Sequence, residues 1–599
     1  MTGPGPRRSG LMGVTLPLRR PIRLHRRPAV DALLLVLAVA LAFVLLRSAV
    51  AHPERVVIAS DSALFDAPAA LYNTGLLADS FLTRVTGSAN GQAAAAWITA
   101  RFEQLGLVVE QEKFPMALRG REVSGTNVLA RSAGRSRGVI LLLAHFDGPT
   151  TSGQSAGASA SGIGALIELA RVLESRPHRH PYAYAAVDAG SWGQVGAAHL
   201  PGTFPDSEPV VAAISIDHVA NGPAIGVAIG GVGQGPGYAP LWLRAGAADA
   251  LAYDGNSVED VGPLTEWYLR TIRLSETDQG PLVSRGIPAV NLGTIPARPE
   301  YASFLLHTPG DRVETLDTAA FRMLGAGVER LVRSIDRGED LTGPFTYLRV
   351  GADRMVRGVA ILLAAIALFL PLLFASFEAA RAATVDPAAR TALRSELARA
   401  VSWWVIAAVG LLALRGLVAA GLLPRFEIYP ATERDPWLYD VRWGPMVVVL
   451  LAMLAAALGL AQLRRRLRLA VGHPFAGRAV ALGTLVVVAV IALVLNPFAA
   501  VWLLALPAWL WPWIGPTRRS LTGAASTVLV VVSAVPAVVI GVLIGRQFEL
   551  GVRTGWYLFL QAAYGAWSPL TCVMALVVLL AAVRLTGTAT SRLLPDAGD

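Results

Sequence analysis

The sequence predicts an α/β layer fold with a largely parallel sheet, joined to an α-helical polytopic membrane domain. Two observations carry that reading. Between residue 52 and about residue 350, apolar strand-like runs alternate with helical patterns, the signature of strands connected through helices. Before and after that region the chain carries apolar runs long enough to cross a bilayer, which takes ~20 helical residues. The chain has 599 residues, of which 54% are hydrophobic, more than a soluble protein of ordinary composition carries.

In order, residues 1–29 form a polar tail containing Arg7, Arg8, Arg19, Arg20, Arg23, Arg26 and Arg27. Residues 30–50 come next as an apolar span, Val30–Val50, interrupted only by Asp31 and Arg47. Its basic flank predicts a cytoplasmic N-terminus and places the chain after Ala51 outside. Ala49-Val50-Ala51 also resembles a signal-peptide cleavage site, but the run is longer than a signal core, so an uncleaved anchor is expected. Residues 52–350 form the large extracytoplasmic domain. Strands are expected at Val108–Phe114, Thr126–Ala130, Val139–Ala144, Tyr182–Asp188, Val211–Asp217, Ile225–Ile229 and Ala289–Leu292. Helices are expected at Gly91–Leu105, Gly162–Glu174, Ala239–Leu251, Thr265–Ile272 and Thr318–Ile335.

Residues 356–583 carry seven further apolar runs: Val356–Phe377, Val401–Leu423, Pro445–Leu463, Ala479–Leu495, Ala499–Ile514, Leu521–Gly545 and Trp556–Val583. Three arginine-rich loops, around Arg381–Arg399, Arg464–Arg478 and Arg518-Arg519, all fall on the cytoplasmic side if residues 52–350 lie outside. The tail 584–599 is then cytoplasmic as well. Asn496-Pro497, Pro507 and Ser568-Pro569 are candidate helix breaks. Arg415 is the one strong charge inside a span, near its outer end, where snorkelling to the interface is the simpler expectation.

The net charge of +10 is carried by arginine, Lys113 being the only lysine. Because these arginines flank apolar runs, they read as topology signals and not as a nucleic-acid footprint. The arginine bias also fits a GC-rich bacterial coding sequence, hence a bacterial plasma membrane. A single cysteine, Cys572, excludes an intramolecular disulfide.

Five short pieces could carry chemistry. Val139–Leu143 ends in Ala144-His145-Phe146-Asp147, placing His145 and Asp147 at the carboxyl end of a strand, where open α/β sheets hold their ligands. The small-residue loop Ser155–Gly162 comes second. Asp188-Ala189-Gly190-Ser191-Trp192-Gly193 and Ile214–His218 each end a strand. His307-Thr308-Pro309-Gly310-Asp311 is the fifth. Taken singly, His145 is a structural histidine, Asp217 a loop-binding carboxylate and His307-Thr308 a turn.

In this order the pieces resemble the co-catalytic di-zinc aminopeptidases, the secreted aminopeptidase and glutamate-carboxypeptidase type, over roughly residues 65–340. Thr126-Asn127-Val128 and Gly286-Ile287-Pro288-Ala289 support the likeness. The resemblance implies a three-layer aminopeptidase-like domain with a mixed, largely parallel sheet. It also implies zinc ligands at His145, Asp217 and His307, with Asp147 orienting His145 as ligand histidines require. Asp278 and Gln279 fall in a segment like the family's substrate-side loop and are expected to line a groove.

The departures from the family are in the centre of the site. The bridging aspartate's position is Ala158, Gly190 replaces the general base, and Ser191 replaces a ligand glutamate. A catalytic zinc takes three protein ligands and a water; the family positions leave His145 and Asp217 for one metal and His307 for the other. Substitute ligands would have to come from Asp188, Glu276 or Asp278. Loss of the base alone costs about 10²–10⁴ in rate. No catalytic residue is therefore assigned, and zinc is expected to bind poorly.

One membrane helix, a peptidase-like outer domain and seven further helices resemble the GPI-anchor transamidase subunit with an aminopeptidase-like lumenal domain. That likeness implies a scaffold or substrate-recognising role, not the pathway. Three functions are open as expectations. The first is a pseudopeptidase that binds a peptide, a lipid-linked substrate or a partner, with its membrane helices among lipid and other subunits. The second is an active zinc metallo-aminopeptidase with a non-standard site. The third is a transport or lipid-handling protein with an accessory outer domain.

Overall fold

The computed structural model describes residues 28–118, 121–220, 222–228, 237–259, 262–272, 275, 277–295, 306–351, 354–423, 441–469, 472–515, 523–547, 550–565 and 567–590. The arginine-rich N-terminal tail, the loop 424–440, Arg518-Arg519 and Glu276 lie outside them.

The chain enters through α1 (Pro28–Ser48) and a two-residue strand β1 (Val50–Ala51), then forms α2 (Ala67–Ser80) and α3 (Ala89–Gln104). The hairpin β2 (Val108–Leu118) and β3 (Arg121–Arg131) leads to β4 (Val139–His145), α4 (Ser161–Glu174), β5 (Tyr182–Val187), α5 (Val195–His199) and β6 (Val210–Ile216). Next come β7 (Ala224–Ala228), α6 (Leu241–Ala252), β8 (Val258–Glu259), α7 (Pro263–Ile272), α8 (Gln279–Ser284), β9 (Ala289–Ile295) and α9 (Thr318–Arg337).

Strands β2 to β9 form one eight-stranded sheet in the order β2-β3-β5-β4-β6-β9-β7-β8. Its centre, β5-β4-β6-β9, is parallel, and antiparallel pairs flank it, so the sheet is mixed as the likeness implied. Parallel strands need both faces covered, which is why β4 can be apolar without alternation; all seven of its residues are buried. One face packs against α2, α3, α4, α6 and α9 through Phe102, Ile163, Leu166, Phe321 and Leu331. The other packs against α5 and α8 through Leu141, Leu143, Leu282 and Val283.

All seven expected strands and five expected helices are present, Ile229 at the end of Ile225–Ile229 lying outside the described residues. Helix α2 was not expected. Asp66 caps it, accepting a hydrogen bond from the Ala69 amide, and it packs on α4, where Gly164 leaves room for Thr74.

A small sheet of β1, β10 (Tyr347–Gly351) and β11 (Arg354–Arg357) ties the exit of α1 to the chain's return to the helical region. The helices there are α10 (Gly358–Val385), α11 (Pro387–Ala419), α12 (Trp443–Arg466), α13 (Pro474–Leu495), α14 (Pro497–Leu510), α15 (Gly523–Ser533), α16 (Val535–Gln547), α17 (Thr554–Tyr564) and α18 (Pro569–Thr590). Seven helices among the described residues are long and apolar enough to cross a membrane. One, Ala156–Glu174, is 94% buried inside the α/β domain and is core. The other six, with the shorter apolar helices at Ala32–Ser48 and Pro497–Trp513, have the length and composition of a multi-pass membrane protein.

Two expected runs differ from single helices. Leu521–Gly545 is interrupted at Ala534, beside Pro536, which lacks the amide hydrogen a helix needs. Trp556–Val583 is two helices, because Gly565 ends α17 in the left-handed conformation and Pro569 starts α18. Asn496-Pro497 divides α13 from α14, whereas Pro507 is accommodated within α14.

The α/β domain is seated on the bundle through α7. Asn496 Nδ2 donates to the carbonyls of Arg270 (2.9 Å) and Thr271 (3.3 Å), and Trp267 meets Phe498 edge to face. Tyr268 packs with Ile544, Leu550 and Tyr557. At the other end of the bundle, the buried Glu396 of α11 accepts from Arg399 and from Arg584 of α18.

Candidate functional site

The carboxyl ends of the central strands converge. His145 ends β4, Asp188 follows β5 and Asp217 follows β6, in register with one another through the parallel pairing. His145 Nδ1 lies 3.2 Å from Asp147 Oδ1, which leaves Nε2 facing Asp217 Oδ1 at 3.4 Å. His218, to which the sequence assigns no role, brings its Nε2 to 3.7 Å from the same Asp217 oxygen. The His307 ring stands edge-on to His218, centroids 6.5 Å apart. These strand ends thus bring His145, Asp147, Asp217 and His307 together with His218.

The charges follow from this packing. Burial works against a charge on His145, but its hydrogen bonds to Asp147 and Asp217 outweigh burial and hold its pKa well above the ordinary value. Burial would raise Asp217, but His218 and His145 beside it bring it down to about 2. Burial, reinforced by the charges of His218 and His145, lowers His307 to about 4. His307 is therefore neutral, and its buried Nδ1 has no hydrogen-bond partner among the described residues.

The three departures each have a structural counterpart. Ala158 is buried in the tight turn Ala156–Ala160, and the Asp311 carboxylate accepts the amides of Gly157 (2.6 Å) and Ala158 (3.1 Å). Asp311 therefore faces the backbone of that turn. Ser191 turns its hydroxyl to the Asp147 carbonyl, while the amides of Gly190 and Ser191 donate to the Asp147 carboxylate at 2.7 and 3.1 Å. Gly190 lies against His145: a β-carbon there would stand 2.4 Å from His145 Cγ.

Of the three substitute ligands, Asp188 is turned away. It accepts from Thr86 Oγ1, the Thr126 amide and the Ala189 amide. Asp278 does lean in. It is buried, its Oδ1 has no hydrogen-bond partner among the described residues, and it lies within the fields of His145, Asp217 and Asp147; burial pushes it up to about 7. Gln279 is buried beside it, its amide nitrogen 3.1 Å from Ser275 Oγ.

Arg84 gave no sequence signal. Fully buried, it donates to the carbonyls of Phe81, Phe146 and Ser155 and to Ser159 Oγ, bracing the loops on either side of the site. Around the site Ser155, Ala189, His218, Ala220 and His307 all adopt positive φ. Such non-glycine conformations cost about 1–3 kcal/mol each and collect at functional sites.

A zinc centre needs three or four donors close together. Among the described residues no group of three His, Cys, Asp or Glu side chains is placed to hold a metal ion. His145, Asp217 and His307 are neighbours but not one ligand set, and Ala158 offers only a methyl group. These residues do not fit a paired-zinc centre.

A strand-ordered mixed sheet with this cleft defines the class: the domain has a zinc-aminopeptidase-like fold. Residues 127–332 match the model for Peptidase family M28. Among solved structures, the chain is similar to Porphyromonas gingivalis glutaminyl cyclase, with 20% identity over 45% of this chain and 99% of that one, TM-score 0.39. It is also similar to BSAP, a zinc aminopeptidase from Bacillus subtilis, with 14% identity over 50% of this chain and all of that one, TM-score 0.40. No curated protein matches the chain.

Proposed function

We propose that this protein is a membrane-anchored pseudopeptidase whose outer domain binds a peptide, a lipid-linked substrate or a partner without hydrolysing it. One observation carries the reading: His145 occupies the space in which a side chain at position 190, the family's general-base position, would have to begin. With Ala158 in place of the metal-sharing carboxylate, the cleft keeps its shape and charge but has no group at these positions to accept a proton from water. The polytopic helices anchor it in a bacterial plasma membrane, with both termini cytoplasmic and the peptidase-like domain outside. The role resembles that of a GPI-transamidase-type scaffold subunit in kind.

A second reading is an active zinc aminopeptidase with a non-standard single-metal site at His145, Asp217 and His307; it is motivated by the proximity of His145 Nε2 to Asp217 Oδ1, 3.4 Å. Metal analysis of the purified full-length protein, with hydrolysis of aminoacyl reporter substrates, separates the two. The first reading expects sub-stoichiometric metal and background turnover. Stoichiometric zinc with chelator-sensitive turnover that His145→Ala abolishes would sink it.

A further inference from the structure

At the end of the bundle opposite the α/β domain, Glu396, Arg399 and Ser402 follow one another along α11 at every third position and share one helix face. Glu396 is fully buried. Arg399 Nη1 donates to its two oxygens at 2.9 and 2.8 Å, and Arg584 of α18 donates through Nε at 3.0 Å and through Nη2. The Ser402 hydroxyl gives its proton to the Ala398 carbonyl at 2.7 Å, which leaves its oxygen to accept Nη1 of Arg464, from α12, at 2.9 Å. Arg464 and Arg399 are within electrostatic reach of each other. Three guanidiniums therefore gather around one carboxylate.

The excess of cations is a property of the sequence at this end. Residues 378–400, 464–478, 515–522 and 584–599 together hold thirteen arginines and five carboxylate side chains, so pairing every acid would still leave eight arginines over. The three guanidiniums differ in what remains to them. Arg584 lies flat on Gly477, where a β-carbon would stand 2.5 Å from Nη2, and its Nε and Nη2 are spent on Glu396. Among the described residues Arg464 and Arg399 each commit one nitrogen of a fork that carries five N–H donors, and both side chains are only half-buried.

The seam between α11 and α12 that they edge is apolar and faces outward. Helix α12 buries no residue, and its Leu454 and Leu458 are exposed. On α11, Leu397, Val401 and Val405 form an exposed stripe at every fourth position beside Ser402. Planar forks bind phosphate oxygens in pairs, and basic pockets between membrane helices take phospholipid headgroups. We propose that Arg464 and Arg399 form a binding site for the phosphate of an anionic phospholipid whose acyl chains lie along the α11–α12 seam. Glu396 and Ser402 hold the two forks in place, and the apolar stripe selects a lipid over free phosphate. This site is independent of what the α/β cleft does.

The test uses the full-length protein in neutral detergent and acyl-labelled phosphatidylglycerol, with binding read by anisotropy. Arg464→Gln is expected to bind about ten-fold more weakly than wild type. Arg464→Lys, a point charge without the planar fork, is expected to fall between. Arg465→Gln removes the same charge from the exposed neighbouring position and is expected to stay within about two-fold of wild type. Thermal melting and size-exclusion profiles confirm that each variant is folded. Equal binding by wild type and Arg464→Gln overturns the site. Equal losses in Arg464→Gln and Arg465→Gln overturn it too, because they would show attraction to net charge alone. Displacement of the lipid by millimolar inorganic phosphate overturns a lipid as its ligand.

Discussion

The imidazole of His145 and the α-carbon of Gly190 are in direct contact: a β-carbon at 190 would lie 2.4 Å from Cγ, 2.5 Å from Cβ and 2.7 Å from Nδ1 of His145. Real β-carbons do not approach so closely. Glycine at 190 is therefore required by the packing of the strand end. Asp147 sets both sides of the contact, binding His145 Nδ1 and the Gly190 amide through the same Oδ1.

Restoring the family residues is accordingly expected to fail. Gly190→Glu, alone or with Ala158→Asp and Ser191→Glu, should give no chelator-sensitive aminopeptidase turnover. Gly190→Ala by itself should destabilise by about 1–3 kcal/mol, the usual cost of overpacking. Thermal melting checks the second statement and reporter hydrolysis the first. A Gly190→Ala protein as stable as wild type would show that His145 can move aside.

Arg84 should prove a structural keystone. Arg84→Met keeps much of the bulk but takes the donor from the carbonyls of Phe81 and Phe146, whereas the Ser155 carbonyl keeps the amides of Ser159 and Ala160. Buried acceptors left unpaired cost about 1–3 kcal/mol each, so a loss of several kcal/mol is expected, with proteolysis opening near Ser155. Unchanged melting and cleavage would show that the two loops hold without Arg84.

The Asp188 carboxyl should draw stability from the domain as pH rises from about 4 to 7. Burial, with the Asp147 charge nearby, pushes Asp188 up to about 7 from an ordinary 3.8. Between those values the folded state binds more protons than the unfolded state, so stability falls with rising pH and levels off above 7. The contribution is fully present below about 4. Asp188→Asn should flatten this part of the melting-temperature profile, whatever constant offset it adds. A profile of equal slope in the variant would contradict the assignment.

Much of the fold was legible in the sequence for identifiable reasons. Strand β4 could be read because it is buried on both faces, which demands an unbroken apolar run. His145 and Asp147 could be paired because both sit at that strand's end. Helix α2 was not legible: Asn73, Thr74 and Gly75 give its middle poor propensity, and it is held by packing on α4 and α9. Arg84 left no trace because its partners are mostly carbonyls, two of the four partner residues more than 70 positions away. The contact of Gly190 with His145 is a property of packing between two strand ends, which no spacing along the chain encodes.

The joint between the domain and the bundle offers the last prediction. Glu266 of α7 is buried and accepts from Arg244 (3.0 Å) and Arg270, while the Arg270 guanidinium lies over the rings of Tyr238, Tyr347 and Phe498. Burial alone would raise the Glu266 carboxyl, but the two arginines outweigh it and keep it charged. Breaking such a pair from one side strands buried charge, at about 3–5 kcal/mol. Glu266→Gln should therefore loosen α7 from α14, exposing the 262–272 segment to protease while the sheet core remains protected. Asn496→Ala should act on the same joint from the bundle side, since Asn496 both caps α14 and binds the carbonyls that end α7. Because Ser275 and Asp278 lie within a few residues of the end of α7, both variants should also alter ligand affinity at the cleft. Protease patterns in both variants that leave 262–272 as protected as in wild type would show that α7 is not what holds the domain to the bundle.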